Sequence, residues 1–166
     1  MESRAKLLGH PAHQLLIVFP LGLLATAVIF DVIYLINDNS TMAVVSYYMI
    51  SAGLIGGLVA APFGWIDWLA IPSGTRAKKI GLMHGMGNVL VLILFAVSWL
   101  FRMDNTDNVP SSAALIFSFA AFALAGFTGW LGGELVDRLG VGVDRGAHLN
   151  APSSLSGRPA VEGRAL

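Results

Sequence analysis

Four stretches of this sequence stay apolar for about 20 residues or more, the length a helix needs to cross the hydrocarbon core of a bilayer. They cover about residues 11–36, 42–71, 80–101 and 112–137. Inside lipid the backbone must satisfy its own hydrogen bonds, and an apolar run of that length does so only as a helix. The expected fold is therefore all-α, a transmembrane four-helix bundle. With 166 residues, mean hydropathy +0.72 and only 12% charged residues, the chain leaves little length for a soluble catalytic module. Residues 1–144 are expected to form the four-span domain, and residues 145–166, rich in Gly, Pro, Ser, Arg and Ala, a flexible cytoplasmic tail.

The breaks between the spans are legible as well. Pro11 suits the first turn of span one, Asn37-Asp38-Asn39-Ser40 ends it, and Pro72-Ser73-Gly74 closes span two, which Pro62 should kink. The polar run from Arg102 to Asn108 reads as the loop between spans three and four. The apolar run near the start continues without a convincing cleavage site, so it reads as a retained span rather than a signal peptide. Arg4, Lys6, Arg76, Lys78, Lys79, Arg138 and Arg145 all fall on one side, and Arg102 alone falls on the other. By the positive-inside rule both termini are expected in the cytoplasm, with the chain in a bacterial inner membrane.

Zero net charge and the absence of a basic stripe exclude the electrostatic footprint of a nucleic-acid binder. The lipid bilayer is the expected partner, with a redox protein and further copies of the chain as additional candidates. Having no cysteine excludes disulfides, thiolate-held zinc, iron–sulfur clusters and covalently attached haem.

Ionisable groups within spans are costly and mark sites. They are few: His10 and His13 at the start of span one, Asp67 at the end of span two, His84 one turn into span three, and Glu134 and Asp137 at the end of span four. Asp31 alone lies toward the other end. Steps of three and four place His10, His13 and Asp31 on one stripe of span one. Similar stripes carry Gly53, Gly57, Ala60, Gly64 and Asp67 in span two, Gly81, His84 and Asn88 in span three, and Gly126, Gly129, Gly133 and Asp137 in span four. The glycines suit close helix packing, and they equally suit a flat cofactor slid between helices.

Spans one and three should be diagonal, a gap that suits a b-type haem between two histidine nitrogens. His84 would stand on one side and His13 or His10 on the other, with Asp67 or Glu134 orienting a ligand. His13 and His84 could instead hold a bare metal, with His10 as a further nitrogen ligand and Asp67 or Glu134 as an oxygen ligand. A proton site, or a structural cluster in a non-enzymatic anchor, are the other readings of the same residues. Paired-carboxylate di-iron, serine-nucleophile and phosphate-loop patterns are missing.

Several short motifs, Gly9-His10-Pro11-Ala12-His13, Gly64-Trp65-Ile66-Asp67-Trp68, Gly81-Leu82-Met83-His84 with Asn88, and Gly129-Trp130-Leu131-Gly132-Gly133-Glu134, together resemble the bacterial membrane family named domain of unknown function 2231. The resemblance covers about residues 9 to 144. It implies a four-span protein and carries His10, His13, Asp67, His84 and Glu134 over as the family's polar positions. Some members are joined to Rieske-type domains, which implies electron transfer rather than a stand-alone enzyme. The chain departs from the family pattern at Gln14, Val18 and Asp137.

Overall fold

In the computed structural model, which describes residues 1–162, the starts of three of the long helices are marked by a capping side chain. Two short strands, β1 (Lys6–Leu7) and β2 (His10–Pro11), form a hairpin whose turn holds Leu8 and Gly9 at positive φ. Helix α1 (Ala12–Leu16) follows, then α2 (Val18–Asn37). The break at Ile17 lies just ahead of Pro20, which has no N–H to give to the carbonyl of Leu16. Asp38 ends α2 in the left-handed conformation.

Helix α3 (Ser40–Ala70) is capped by the Asn39 side chain, α4 (Arg76–Leu100) by Thr75, and α5 (Ser112–Gly133) by Ser111. A π-helical turn over Glu134–Arg138 continues α5. Helix α3 runs unbroken through Pro62. Helix α4 begins four residues before the apolar run of span three, because Thr75 caps a first turn made of Arg76, Lys78 and Lys79 that hydropathy does not register.

Four helices are long and apolar enough to cross a membrane, so the transmembrane four-helix bundle expected from the sequence is present. Contact is most extensive within two hairpins, α2 with α3 and α4 with α5; it is sparser between them, where α3 meets α4 and α2 meets α5. Helices α2 and α4 are thus diagonal across a seam. Leu24, Ala27, Val28, Ile50, Val91, Phe95 and Ala121 fill its middle.

Most glycines of the expected stripes serve packing. A Cβ at Gly53 would come within 2.6 Å of Leu24, one at Gly57 within 2.6 Å of Leu92, and one at Gly81 within 2.8 Å of Trp68. Span four differs from expectation: Gly126, Gly129, Gly133 and Asp137 face outward, while Ala114, Ser118, Ala121, Thr128, Leu131 and Leu135 make the buried stripe. Glycine is indifferent to lipid or interior, so the buried hydroxyls decide the phase of this helix.

At the end that carries the termini, the segment before α1 is tied to the bundle. Asp67 accepts hydrogen bonds from the Ser3 hydroxyl and from the main-chain N–H groups of Arg4 and Ala5. Beyond residue 144 the chain makes turns and one 3-10 turn, Ser154–Ser156, with Ser154 donating to the carbonyl of Leu8. Residues 163–166 of the expected tail lie outside the described residues.

Candidate functional site

Two polar layers cross the seam, and both join the first span (α1 and α2) to α4 or to the residues just past its end. In the first layer His13 of α1 and His84 of α4 stand with ring centroids 6.3 Å apart and planes at 89°. Each ring is held in the same way. His13 Nδ1 lies 3.1 Å from the carbonyl of Ala60, and His84 Nδ1 lies 2.9 Å from the carbonyl of Thr128. A carbonyl only accepts, so both Nδ1 atoms carry a proton; in the neutral imidazole Nε2 then keeps its lone pair, and that of His84 faces the Asn88 amide nitrogen at 3.3 Å.

Both anchoring carbonyls stand four residues before a glycine, Gly64 and Gly132, the positions whose N–H groups close the next helical bond. A Cβ at Gly64 would come within 2.9 Å of the His13 ring, and one at Gly132 within 3.1 Å of the His84 ring. The glycines therefore clear the way for the imidazoles to reach the helix backbones. Asn88 completes the layer, donating to the His84 carbonyl at 2.9 Å and accepting from the Thr128 hydroxyl at 3.0 Å.

The other three sequence candidates are engaged elsewhere. His10 is exposed on β2, off the helical stripe, because the strand pairing Leu7 with His10 precedes the helix; its Nε2 faces the Ser154 hydroxyl at 3.3 Å. Asp67 anchors the N-terminal segment as described above. Glu134 is paired with Arg76 at 2.6 Å. The acceptors that orient the two histidines are main-chain carbonyls, where the sequence suggested carboxylates.

The second layer was not foreseen as a site. Arg102, read from the sequence as a loop residue, folds back just past the end of α4 and is fully buried. Its Nη1 and Nη2 donate to Asp31 Oδ1 and Oδ2, both at 2.7 Å, a two-pronged fork on the carboxylate. Ser46 of α3, Ser98 of α4 and Ser118 of α5 surround the guanidinium, so all four long helices contribute. Among the described residues Arg102 Nε has no hydrogen-bond partner.

One signal could have shown it. Eighteen residues separate His13 from Asp31, and eighteen separate His84 from Arg102. That is five turns of helix, about 27 Å, so each pair lies on one face. Asp31 and Arg102 were therefore in phase with the two histidines, and opposite in charge.

Among the described residues no three His, Cys, Asp or Glu side chains gather as a metal cluster. A family model described as predicted membrane protein (DUF2231) matches residues 9–145. The chain belongs to this family. Within the DUF2231 match lie both layers, with His13, His84, Asp31 and Arg102. No curated protein and no solved structure matches this DUF2231 chain.

Proposed function

We propose that the protein is a membrane electron carrier in which His13 and His84 would hold a b-type haem at the seam between the two hairpins. The observation that supports this is the shared anchoring of the two rings. Each Nδ1–H is spent on a backbone carbonyl, which fixes the tautomer, raises the basicity of the ring and leaves Nε2 as the ligating atom.

A group taken up between the two rings would meet one imidazole from each hairpin. The ring centroids of His13 and His84 are 6.3 Å apart. Two protein ligands are too few for a bare ion in a closed site, whereas a macrocycle brings its own four nitrogens. The haem would supply one-electron reduction and oxidation. The chain would hold its iron by two neutral imidazoles and keep it within helices that exclude water.

By the positive-inside rule the histidine layer lies at the cytoplasmic face of a bacterial inner membrane. A redox protein on that side is then the electron donor or acceptor. Oligomerisation of the chain is compatible with this reading and is not needed for it.

A visible spectrum of detergent-purified protein, expressed with haem supplied, tests the proposal. A Soret band is expected that is lost or shifted in both His13→Ala and His84→Ala and unchanged in His10→Ala. No band, or a band indifferent to His13 and His84, overturns it.

The close packing of Gly57 against Leu92 and of Gly87 against Thr128 favours a second reading. In it the histidine layer only ties helix ends together in a non-enzymatic membrane anchor or subunit. That reading predicts loss of thermal stability in His84→Ala with no cofactor spectrum in the parent protein.

A further inference from the structure

The two hairpins are equivalent by position. Adding 71 to residues of the first span, α1 with α2, takes His13 to His84, Leu24 to Phe95, Ala27 to Ser98 and Asp31 to Arg102. Adding 68 to residues of the second span, α3, takes Ile50 to Ser118, Gly53 to Ala121, Ala60 to Thr128 and Gly64 to Gly132. Burial follows the same correspondence. Leu24 and Phe95 are buried, as are Ala27 and Ser98, Ile50 and Ser118, and Ala60 and Thr128. The histidine anchors repeat it atom for atom, each Nδ1 reaching a carbonyl four residues before a glycine. Such a repeat, with both copies in the same orientation, is related by an axis along the membrane normal.

Equivalent hairpins have a pairing problem. If the seam surfaces of hairpin one and hairpin two match in shape, each can also pack against its own kind from another copy. The lipid offers no hydrophobic preference to prevent that. At one equivalent position the two hairpins differ sharply: Asp31 in the first, Arg102 in the second, both with no exposed surface.

We infer that the Asp31–Arg102 pair is the device that specifies hairpin one against hairpin two. Hairpin one against hairpin one would bury two carboxylates, and hairpin two against hairpin two would bury two guanidinium groups, each without a counter-ion. Specificity of this kind comes from the repulsive alternative as much as from the attractive contact. A buried ion pair can often be replaced by apolar groups without loss of stability, so its value here is choice of partner rather than strength.

The test uses the full chain in four variants: Asp31→Leu, Arg102→Met, the double apolar D31L/R102M, and the charge-exchanged D31R/R102D. Each single variant leaves one buried charge alone and is expected to lower Tm in detergent by roughly 5–20 °C. The double apolar variant should recover most of that loss, but lose selectivity. When two differently tagged copies are made in the same cell, they should co-purify several-fold more than for the parent, and mixing the purified proteins should not reproduce this, because swapped hairpins form only during insertion. The charge-exchanged variant should melt above both singles, with parent-like tag separation. The serines that surround Arg102 stay with the wrong partner, so its recovery is incomplete.

Tag separation in the double apolar variant equal to that of the parent overturns the inference, as does a charge-exchanged variant no better than the worse single. Neither readout involves a cofactor, so the outcome is independent of the haem reading.

Discussion

Gly64 and Gly129 lie in long helices of the same bundle and differ in what a side chain would meet there. At Gly64 a methyl group would press on the His13 ring, while at Gly129 nothing lies within 4 Å. Gly64→Ala is therefore expected to displace His13 from the Ala60 carbonyl and to destabilise the protein by about 1–3 kcal/mol. Unfolding in mixed micelles reads the energy, and imidazole nitrogen shifts read the loss of the fixed tautomer. Gly129→Ala should leave both shifts unchanged and be neutral or stabilising by up to about 1 kcal/mol, since alanine costs a helix less than glycine. Equal effects from the two substitutions would remove the distinction between clearance for a ring and mere helix composition. The sequence presented all these glycines alike as members of periodic stripes. Which of them mattered depends on a neighbouring helix, and periodicity carries no information about that.

Helix ends behave in the same local way. Thr75 accepts from the N–H of Lys78 at 3.1 Å, and the Lys78 ammonium donates back to the Trp68 and Leu69 carbonyls at the end of α3. One short connection thus caps two helices and joins the hairpins. Thr75→Ala should cost about 1 kcal/mol and Thr75→Ser much less, measured by the same unfolding experiment; equal costs would show that the hydroxyl is not the cap. The spans themselves were legible because an apolar stretch of that length has one solution in lipid. Their ends were less so: charged first turns such as Arg76–Lys79 belong to a helix by capping rather than by hydropathy. His10 was placed on a helical stripe that begins two residues later, since a strand hairpin with Gly9 at positive φ occupies that place. Arg102 suffered the converse error. It lies two residues past Leu100, the last residue of α4, and one extra turn of backbone carries it into the interior.

For the molecule as a whole, the end bearing the termini is closed by contacts that respond to pH. The N–H of Arg145 and, next, the Lys6 ammonium hold the Glu2 carboxyl below its ordinary value of 4.5, and the carboxylate of Asp144 raises the Lys6 ammonium above its usual range. A carboxyl whose folded pKa is lowered contributes stability that is complete above the unfolded value and is lost as pH falls through the folded one. The bond from Glu2 to the Arg145 N–H should thus persist at neutral pH and fail in acid below about pH 4.5. Hydrogen-exchange protection at Arg145 reports it, and Glu2→Gln should remove the pH dependence; persistent protection in acid would mean that other contacts hold the loop. Of the candidate site, the sequence identified His13 and His84 but not their anchors, because main-chain carbonyls have no signature in side-chain pattern. It registered Asp31 without its counter-ion.

The pairing across the seam also sets a problem of timing. Arg102 leaves the ribosome 71 residues after Asp31, an interval of about 4–14 s at 5–20 residues per second. Throughout it the first span carries a carboxyl that has no guanidinium to meet. Until synthesis catches up, that group must be wetted from the interface or shielded by the insertion machinery. The order of the two charges in the chain means that this contact cannot form before the third span has been made.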